Sequence, residues 1–451
     1  MSDPLDEPAA ATAPDQPVTI ASPLTLPCGA MLRNRIAKAA MTEGVADCRN
    51  HATKRHETLY RTWARGGAGL LITGNIQVDR RYLERPGNVA IERDLADEGF
   101  ERLSAYARAA TQNDTAAWVQ LSHAGRQTPA RVTGTPVAPS AVRLNLPKSE
   151  FGVPRALETA EIEDIRDRFI FAAGQCRKAG FTGVQIHAAH GYLLSEFLSP
   201  RVNQRSDDWG GSLRNRARLL MEIIAGIRGE VGAAFPISVK LNSSDFQRGG
   251  FAHDDCLQVV QWLNEAGIDL LEISGGTYEQ PRMMDTDGIE PVVEKAIRVS
   301  TREREAYFLK YAVSIRSVAR MPLMVTGGFR SRRGMDAALA AGEVDVCGIA
   351  RPLCVMPDLP ERLFQGSLEE GPAVERSLRL GPGFLGPQSP ITFIKLANAF
   401  GSQGWFYHQI YRLADGLEPD REFGLFAALR AYQAEESRAA KALEAVGGRA
   451  A

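Results

Sequence analysis

The stretch Val184-Gln185-Ile186-His187-Ala188-Ala189-His190-Gly191-Tyr192 decides how the rest of this chain is interpreted. It begins as a run typical of a buried β-strand and ends with two imidazoles and a phenol within six residues. An imidazole hydrogen-bonds a carbonyl oxygen, and a phenol donates a proton. A strand whose carboxyl end carries such a set is typical of the floor of an active site.

Seven other runs of apolar and β-branched residues resemble this strand. Most of the eight are nearly continuous rather than alternating, which is typical of a parallel sheet covered on both faces. The predicted strands are Arg35–Met41, Gly69–Val78, Ala116–His123, Gly183–Ala189, Pro236–Asn242, Leu270–Gly275, Leu323–Gly327 and Asp345–Ala350. Helical spacing of apolar residues lies between them at Glu98–Gln112, Thr159–Ala179, Leu213–Val231 and Asp254–Ala266. Eight strands, most followed by a helix, predict an α/β fold, a (β/α)8 TIM barrel.

The chain divides into three predicted regions. Residues 1–19 are expected to form a disordered leader, 20–364 the TIM barrel, and 365–451 a C-terminal loop and helical appendage. Proline-rich Thr128–Pro154 and the segment Gly275–Glu294 are predicted to be long loops above the third and sixth strands.

The appendage carries two predicted helices, Gly401–Gly416 and Glu422–Val446. The first contains an aromatic stripe from Trp405 to Tyr411. Two interpretations of this stripe stay open, a subunit contact in a homodimer and packing within the chain.

Composition and charge narrow the class of protein. The 451 residues are 44% apolar and 24% charged, with a net charge of −1. Such a chain lacks the global electrostatic attraction for nucleic acid or an anionic membrane, and no apolar run approaches the roughly 18 residues of a membrane span. The six cysteines include no C-x-x-C pair, so neither a zinc site nor a cysteine-ligated iron–sulfur cluster has its usual spacing. Scattered thiols fit a reducing cytoplasm, which is the expected location.

The active site of a TIM barrel lies at the carboxyl ends of its strands. On the predicted strands, the chemically capable side chains there are Thr42, Gln120, His123, His187, His190, Tyr192, Lys240, Asn242, Arg330 and Arg351. His187 and His190 would face opposite ways on an ideal strand, so their convergence requires the chain to turn at Ala189. Beside a pair that binds a carbonyl oxygen, a metal site and ordinary structural histidines remain open interpretations.

Glycines follow the seventh and eighth strands, in Val325-Thr326-Gly327-Gly328-Phe329-Arg330 and Gly348-Ile349-Ala350-Arg351. Such glycines let backbone N–H groups approach an anion, and barrels often bind phosphate there; tight packing is the alternative. Gln120 suits a ring edge that carries C=O and N–H groups. Lys240 would be an isolated cation unless it forms a salt bridge, with Asp245 as the candidate partner. Together with a carbonyl clamp, these features point to bound flavin mononucleotide (FMN).

With these residues in place, the chain resembles the old yellow enzyme family of FMN-dependent NAD(P)H:flavin oxidoreductases. The motifs that carry the resemblance occur in the family's order along residues 20–364. They are Leu32–Ile36 through Met41-Thr42, Gln120–Arg126, Ile186–Leu193, Glu196–Pro200, Asn203–Asp207, Trp209–Arg216 and the glycines after the seventh and eighth strands. The C-terminal appendage is matched only loosely, to longer family members.

The resemblance implies a role for each candidate residue. The isoalloxazine ring would lie beside Ala39, Ala40, Met41 and Thr42, with Thr42 hydrogen-bonding flavin O4. Gln120 would bind the pyrimidine edge, and Lys240 would offset negative charge near N1. The phosphate would be bound by Gly327, Gly328, Ala350 and Arg351.

On the substrate side, the resemblance implies that His187 and His190 hold a carbonyl or nitro oxygen and that Tyr192 is the proton donor. The implied enzyme is of the ene-reductase type. NADPH or NADH reduces FMN, hydride then adds to Cβ of an activated alkene such as an α,β-unsaturated carbonyl compound, the imidazoles stabilise the developing enolate, and Tyr192 protonates Cα.

Three departures from the family pattern bear on these expectations. Lys240 stands where many members carry Arg, and an ammonium cannot form the planar fork of a guanidinium. Gly44 stands where some members carry Tyr, two residues after the position of Thr42, which leaves more room or a different substrate contact. The clustered cysteines of the iron–sulfur branch are absent. The expected cofactors are therefore FMN with NADPH or NADH, without a metal or an iron–sulfur cluster.

Three other functions stay open on the sequence. One is an FMN-dependent dehydrogenase or demethylase of amines on the same barrel. Another is a flavin-binding scaffold without turnover. The last is a non-flavin lyase or aldolase that uses Lys240 as a Schiff base.

Overall fold

Eight parallel strands close into one barrel in the computed structural model of the chain, which describes residues 17–93, 95–146, 150–279 and 308–447. The strands are β1 (Ile36–Lys38), β2 (Leu70–Gln77), β3 (Ala116–Ser122), β4 (Gly183–Ala188), β5 (Ile237–Asn242), β6 (Leu270–Ser274), β7 (Leu323–Thr326) and β8 (Val346–Ile349). Each strand pairs in parallel with its neighbour in sequence, and β8 pairs with β1 to close the barrel. The eight predicted strands and the (β/α)8 fold are confirmed.

Helices follow the strands and pack around the barrel. They are α1 (Lys54–Arg65), α2 (Asp97–Ala110), α3 (Thr159–Ala179), α4 (Leu193–Leu198), α5 (Leu213–Val231), α6 (His253–Ala266), α7 (Leu309–Arg316), α8 (Arg332–Ala340) and α9 (Leu359–Gln365). The bounds of α3 and α5 are those predicted, and each helix begins at a capping group. The carboxylate of Glu161 accepts the N–H of Glu158 at 2.9 Å, and the hydroxyl of Ser212 accepts the N–H of Asn215 at 3.2 Å.

A short antiparallel hairpin closes the end of the barrel away from the candidate site. It pairs Leu24–Thr25 with Met31–Leu32, and its leucines pack with Ile72 and Trp118 in one buried cluster. The N–H of Cys28 donates to the carboxylate of Asp269, just before β6 begins, at 2.9 Å. The lower barrel is therefore apolar and filled, which leaves the carboxyl ends of the strands as the open face.

The C-terminal appendage is a pair of packed helices, α10 (Thr392–Ala414) and α11 (Leu425–Ala445), which we call the C-terminal hairpin. Both predicted helices are confirmed, but α10 begins nine residues before the predicted Gly401. Gly404 lies inside α10, where its lack of a side chain allows α11 to pack closely, because a Cβ atom would come within 2.8 Å of the carbonyl oxygen of Ala428. The indole of Trp405 is buried and donates to the carbonyl of Phe423 at 2.8 Å, so this part of the aromatic stripe packs within the chain.

The two predicted loops differ in how much of them the structure describes. Within the described residues of Thr128–Pro154 there is no α-helix, and Val137–Ala138 pairs with Arg155–Ala156 as a small parallel sheet. Only residues 275–279 of the loop above β6 fall in the described ranges. The expectation of a disordered leader concerns residues that lie almost wholly outside them.

Candidate active site

His187 and His190 converge at the carboxyl end of β4, as the sequence predicts. Their ring centroids lie 5.0 Å apart with an interplanar angle of 80°. The chain reverses the direction of the second side chain because His190 adopts a left-handed conformation, φ +64°, one position later than the predicted turn at Ala189. A non-glycine residue rarely adopts this conformation. It is held here by Asn242, whose Oδ1 accepts the N–H of His190 at 3.1 Å, and by Gln127, whose amide donates to the carbonyl of His190 at 3.1 Å.

Hydrogen bonds leave one ring nitrogen of each histidine available. His187 Nδ1 accepts the N–H of Ala189 at 3.2 Å, so in the neutral ring the proton resides on Nε2. His190 Nε2 lies 2.6 Å from Ser274 Oγ, which leaves Nδ1. Burial lowers the pKa of His187 well below 6.5, and His190 and Lys240 lower it further; burial and then Lys240 lower the pKa of His190 in the same direction. Both rings are therefore neutral near pH 7, with one N–H each.

Tyr192 completes this cluster. Its ring centroid lies 4.9 Å from that of His187, and its hydroxyl lies 2.8 Å from the hydroxyl of Tyr278, which follows β6. Burial raises the pKa of Tyr192 well above 10, and the charge of Glu84 adds to the effect, followed by Tyr278. The phenol consequently keeps its proton across the physiological pH range.

A chain of hydrogen bonds crosses the barrel mouth from β3 to β6. The Gln120 amide donates to Gln185 Oε1 at 2.6 Å, and the Gln185 amide donates to Glu272 Oε2 at 2.8 Å. Glu272 Oε1 lies 3.0 Å from Lys240 Nζ. The alternative interpretation of Lys240 as a salt-bridge residue is thus confirmed, but its partner is Glu272 and not the candidate Asp245. The carboxylate of Asp245 instead accepts the Asn242 amide at 3.0 Å and the backbone N–H of Phe251 at 2.9 Å.

The segment after β1 lies against the end of β8. Ala39 is buried, and its N–H donates to the carbonyl of Ile349 at 2.9 Å. Ala40, Met41 and Thr42 are partly exposed. The hydroxyl of Thr42 donates to Glu84 Oε2 at 2.8 Å, a contact that the sequence did not predict.

The ends of β7 and β8 have the features of an anion site. Gly327 and Gly328 have φ values of +101° and +98°, a conformation that turns successive backbone N–H groups and that other residues seldom adopt. Helix α8 begins just beyond them. Ala350 and Arg351 follow β8 and are partly exposed. Within the described ranges the guanidinium of Arg351 has neither a hydrogen bond nor an ion pair, whereas that of Arg330 is paired with Glu375.

These groups fit FMN by the chemistry of the donor set. An unpaired guanidinium beside a Gly-Gly turn suits a phosphate. The amide oxygen of Gln120 has no partner in the described part of the chain and suits a ring N–H. Lys240 supplies N–H donors close to the histidine cluster, since it pairs in register with His187 across β4 and β5.

His123 and Asn242, two of the residues that the sequence predicted at the carboxyl ends of the strands, hydrogen-bond to other parts of the chain. His123 Nδ1 accepts the N–H of Gly125 at 3.1 Å, and its ring lies 5.3 Å from that of Tyr82. Asn242 positions His190, as described above. Residues 17–279 and 308–447, apart from the short gaps at 94 and 147–149, contain no cluster of His, Cys, Asp and Glu placed to hold a metal ion.

Sequence reasoning missed Glu84, Glu272 and Tyr278. Glu272 had a usable signal, because it is the one charged residue in the strand Leu270–Ser274. Glu84 and Tyr278 lie in segments between regular elements, where no periodicity marks which side chains turn toward the barrel mouth.

Comparison with known proteins gives the family. A family model described as the NADH:flavin oxidoreductase / NADH oxidase family matches residues 20–370. The chain is 38% identical over 392 residues to the NADH-dependent flavin oxidoreductase iliE of Hypocrea jecorina, covering 83% of this chain and 96% of that protein. It is 37% identical over 371 residues to the protein of the same name from Neonectria sp., covering 78% of this chain and 48% of that protein.

A solved structure agrees with these matches. The structure of the old yellow enzyme homologue from Zymomonas mobilis aligns with a TM-score of 0.65 at 27% identity, covering 79% of this chain and 95% of that one. None of the described helices is long and apolar enough to cross a membrane. The matched barrel and the matched relatives together establish that this chain belongs to the NADH:flavin oxidoreductase / NADH oxidase family, the FMN-binding oxidoreductases of the old yellow enzyme type.

Proposed function

We propose that this oxidoreductase uses NADH or NADPH to reduce activated C=C bonds, such as those of α,β-unsaturated carbonyl compounds. The observation that carries the proposal is the cluster at the end of β4, in which the His187 and His190 rings lie 5.0 Å apart and Tyr192 lies beside them. Two neutral N–H donors next to a protonated phenol suit an acceptor whose oxygen gains negative charge while its neighbouring carbon gains a proton.

The residues that would hold FMN are those to which the family resemblance assigns this role. Arg351 and the backbone at Gly327, Gly328 and Ala350 would bind the phosphate, and Gln120 and Lys240 would bind the pyrimidine edge. Ala39, Ala40, Met41 and Thr42 would line the ring. When bound, FMN supplies the hydride that it accepts from the nicotinamide.

His187 and His190 bind the oxygen of the acceptor. Nε2 of His187 and Nδ1 of His190 are the nitrogens left free by Ala189 and Ser274. Each donates one hydrogen bond, in the tautomer of His190 whose Nε2 accepts the hydroxyl of Ser274. These bonds strengthen as the oxygen becomes an enolate oxygen, so they stabilise the transition state more than the bound alkene. Neutral rings are required for this arrangement, because an imidazolium would have no acceptor nitrogen for Ala189.

Tyr192 supplies the proton at Cα. Its raised pKa keeps the hydroxyl protonated until a strongly basic carbon develops next to it. The hydroxyl of Tyr278, 2.8 Å away on a partly exposed side chain, is positioned to relay a proton from solvent to the Tyr192 oxygen. The phenol therefore acts once in each turnover and is restored through its neighbour.

The test is an anaerobic two-step experiment on purified, flavin-loaded protein. NADH or NADPH is expected to bleach the oxidised flavin band, and 2-cyclohexenone is expected to restore it with formation of cyclohexanone. Cyclohexanone itself, which lacks the C=C bond, is the matched control and should restore nothing. Bleaching by an amine without nicotinamide, or no recovery with any conjugated enone or enal, would contradict the proposal.

A further inference from the structure

The space beside Gly44 is filled by a side chain from another segment. Gly44 lies two residues after Thr42 with φ +68°, and a Cβ atom at this position would overlap the guanidinium of Arg85. The room that the sequence indicated at Gly44 is thus occupied by Arg85. The neighbour of Arg85 in the chain, Glu84, accepts the hydroxyl of Thr42 at 2.8 Å, so this segment lies directly at the candidate site.

The C-terminal hairpin holds Arg85 in this position. Its Nε donates to Glu436 Oε1 at 2.9 Å, and both side chains are buried. Its Nη2 donates to the hydroxyl of Tyr411 at 2.8 Å. The guanidinium also lies 4.1 Å from the ring centroid of Tyr407 and 5.4 Å from that of Tyr432. A charged, hydrogen-bonded contact beside two aromatic rings fixes the hairpin against the barrel.

The aromatic rings of the hairpin influence the phenols of the candidate site. Tyr407 and Tyr432 stack with their centroids 5.2 Å apart, and Tyr278 lies 5.7 Å from Tyr192. Burial raises the pKa of Tyr192, and Glu84, Tyr278 and then Tyr407 add to the effect. Burial and then Glu84 likewise raise the pKa of Tyr278, and Tyr432 raises it further. The geometric link between the hairpin and the site is the segment of Glu84 and Arg85, which contacts Thr42 and Tyr407.

We propose that the C-terminal hairpin forms a wall of the substrate site, with Tyr407 as a specificity-determining residue that contacts the part of the acceptor remote from its oxygen. This inference rests on the proposed function. The ring of Tyr407 is held on one side by Arg85, whose charge is balanced by Glu436. Such a wall is lined by aromatic rings, and it favours planar, aryl-conjugated acceptors over compact aliphatic ones.

The test compares two phenols that differ only beyond the ring that reaches the histidines. Phenol and 4-phenylphenol are titrated separately into the oxidised, flavin-loaded protein, and the change in the flavin absorbance gives each Kd. The wild-type protein is expected to bind 4-phenylphenol at least tenfold more tightly than phenol. Tyr407→Ala is expected to lose most of this preference while its Kd for phenol stays within about threefold.

Two variants separate stacking from a general disturbance of the hairpin. Tyr407→Phe keeps the ring and is expected to keep the preference. Phe393→Ala removes an exposed aromatic side chain from the same helix, where 78% of its surface is accessible, and should change neither Kd. If Tyr407→Ala does not retain flavin, Tyr407→Leu replaces it, because leucine fills the space without an aromatic face.

The outcomes distinguish this inference from the proposed function. Equal binding of the two phenols by the wild-type protein, or an undiminished preference in Tyr407→Ala or Tyr407→Leu, would overturn the proposed role of the hairpin. Neither result would contradict the proposed function. Failure of the wild-type protein to bind either phenol would overturn the histidine site and, with it, the inference that depends on that site.

Discussion

The ammonium of Lys240 lies 3.0 Å from a carboxylate oxygen of Glu272, and the two residues are directly paired across β5 and β6. Both side chains are buried. Replacing Glu272 with Gln keeps the size of the side chain but leaves Lys240 as a buried cation without a counter-ion. Breaking a buried pair in this way costs about 3–5 kcal/mol, so we expect urea unfolding to show a loss of that order in the free energy of unfolding.

The same variant should shift the potential of the flavin. If Lys240 lies near N1, an uncompensated ammonium stabilises the negative charge of the reduced ring, so the reduction potential of Glu272→Gln is expected to rise. A dye-coupled potentiometric titration measures it, and Lys240→Met is the matched control with the opposite expected direction. An unchanged potential in both variants would contradict the placement of Lys240 beside the flavin.

This pair also marks the limit of what the sequence could predict. The presence of Lys240 in the barrel mouth followed from its place at the end of an apolar strand. The identity of its partner could not be predicted, because the register of two strands that are distant in sequence brings Glu272 opposite Lys240. Asp245 was the nearer candidate along the chain, but it accepts from Asn242 and Phe251 instead.

The fold was predictable to a greater extent than the site. The strands of a covered parallel barrel are continuous apolar runs, and that signal is local. The histidine cluster was predictable for the same reason, since His187, His190 and Tyr192 lie in one short segment. The contribution of the C-terminal hairpin could not be predicted. The contact of Arg85 with Glu436 joins residues 351 positions apart, and no periodic pattern in the sequence indicates such a contact.

Replacing both His187 and His190 with Ala is expected to weaken the binding of phenol without loss of flavin. Two hydrogen bonds at about 1–1.5 kcal/mol each correspond to a rise in Kd of roughly 30- to 140-fold. A titration with phenol, monitored by the absorbance of the flavin, measures the change in Kd. His253→Ala is a control, because this histidine lies at the start of α6 and contacts Ser243 and Ser314 instead. An unaltered Kd in the double variant would remove these imidazoles from the site.

The binding of a neutral acceptor should not depend on the protonation of the histidines near neutrality. Burial is the main cause that lowers the pKa of His187 and His190 well below 6.5, so both rings remain neutral as the pH falls from 8 to 6. The Kd for 2-cyclohexenone in the oxidised protein is therefore expected to be constant over this interval. An inflection near pH 6.5 that disappears in the double alanine variant would show that an ordinary histidine titrates there.

Tyr192→Phe is expected to slow the reduction of the alkene while the reduction of the flavin by NADH or NADPH continues at its normal rate. Loss of a general acid typically costs 10²- to 10⁴-fold in rate. Stopped-flow measurement of the two half-reactions separates them. Tyr278→Phe retains the hydroxyl of Tyr192 and should give a smaller effect. Equal slowing of both half-reactions by Tyr192→Phe would indicate a disturbed flavin site rather than a lost proton donor.

Glu196 on α4, three residues after the start of that helix, should make the stability of the protein depend on pH. Its Oε1 accepts the N–H of Arg126 at 2.9 Å, and burial raises the pKa of its carboxyl from 4.5 to about 8. Because the pKa is higher in the folded than in the unfolded state, its contribution to stability is fully present below pH 4.5 and is lost as the pH rises to about 8.

Glu196→Gln replaces the buried acid with a neutral amide of the same size and should remove this dependence. At ~1.4 kcal/mol per pKa unit, the wild-type protein is expected to lose several kcal/mol relative to the variant between pH 5 and pH 8. Urea unfolding of both proteins at intervals across that range measures the difference. The ion pair of Arg438 with the partly exposed Glu435 offers a control, since loss of a surface pair in Glu435→Gln should change the free energy of unfolding by less than about 1 kcal/mol. A constant difference for Glu196→Gln would mean that this carboxyl titrates normally in the folded protein.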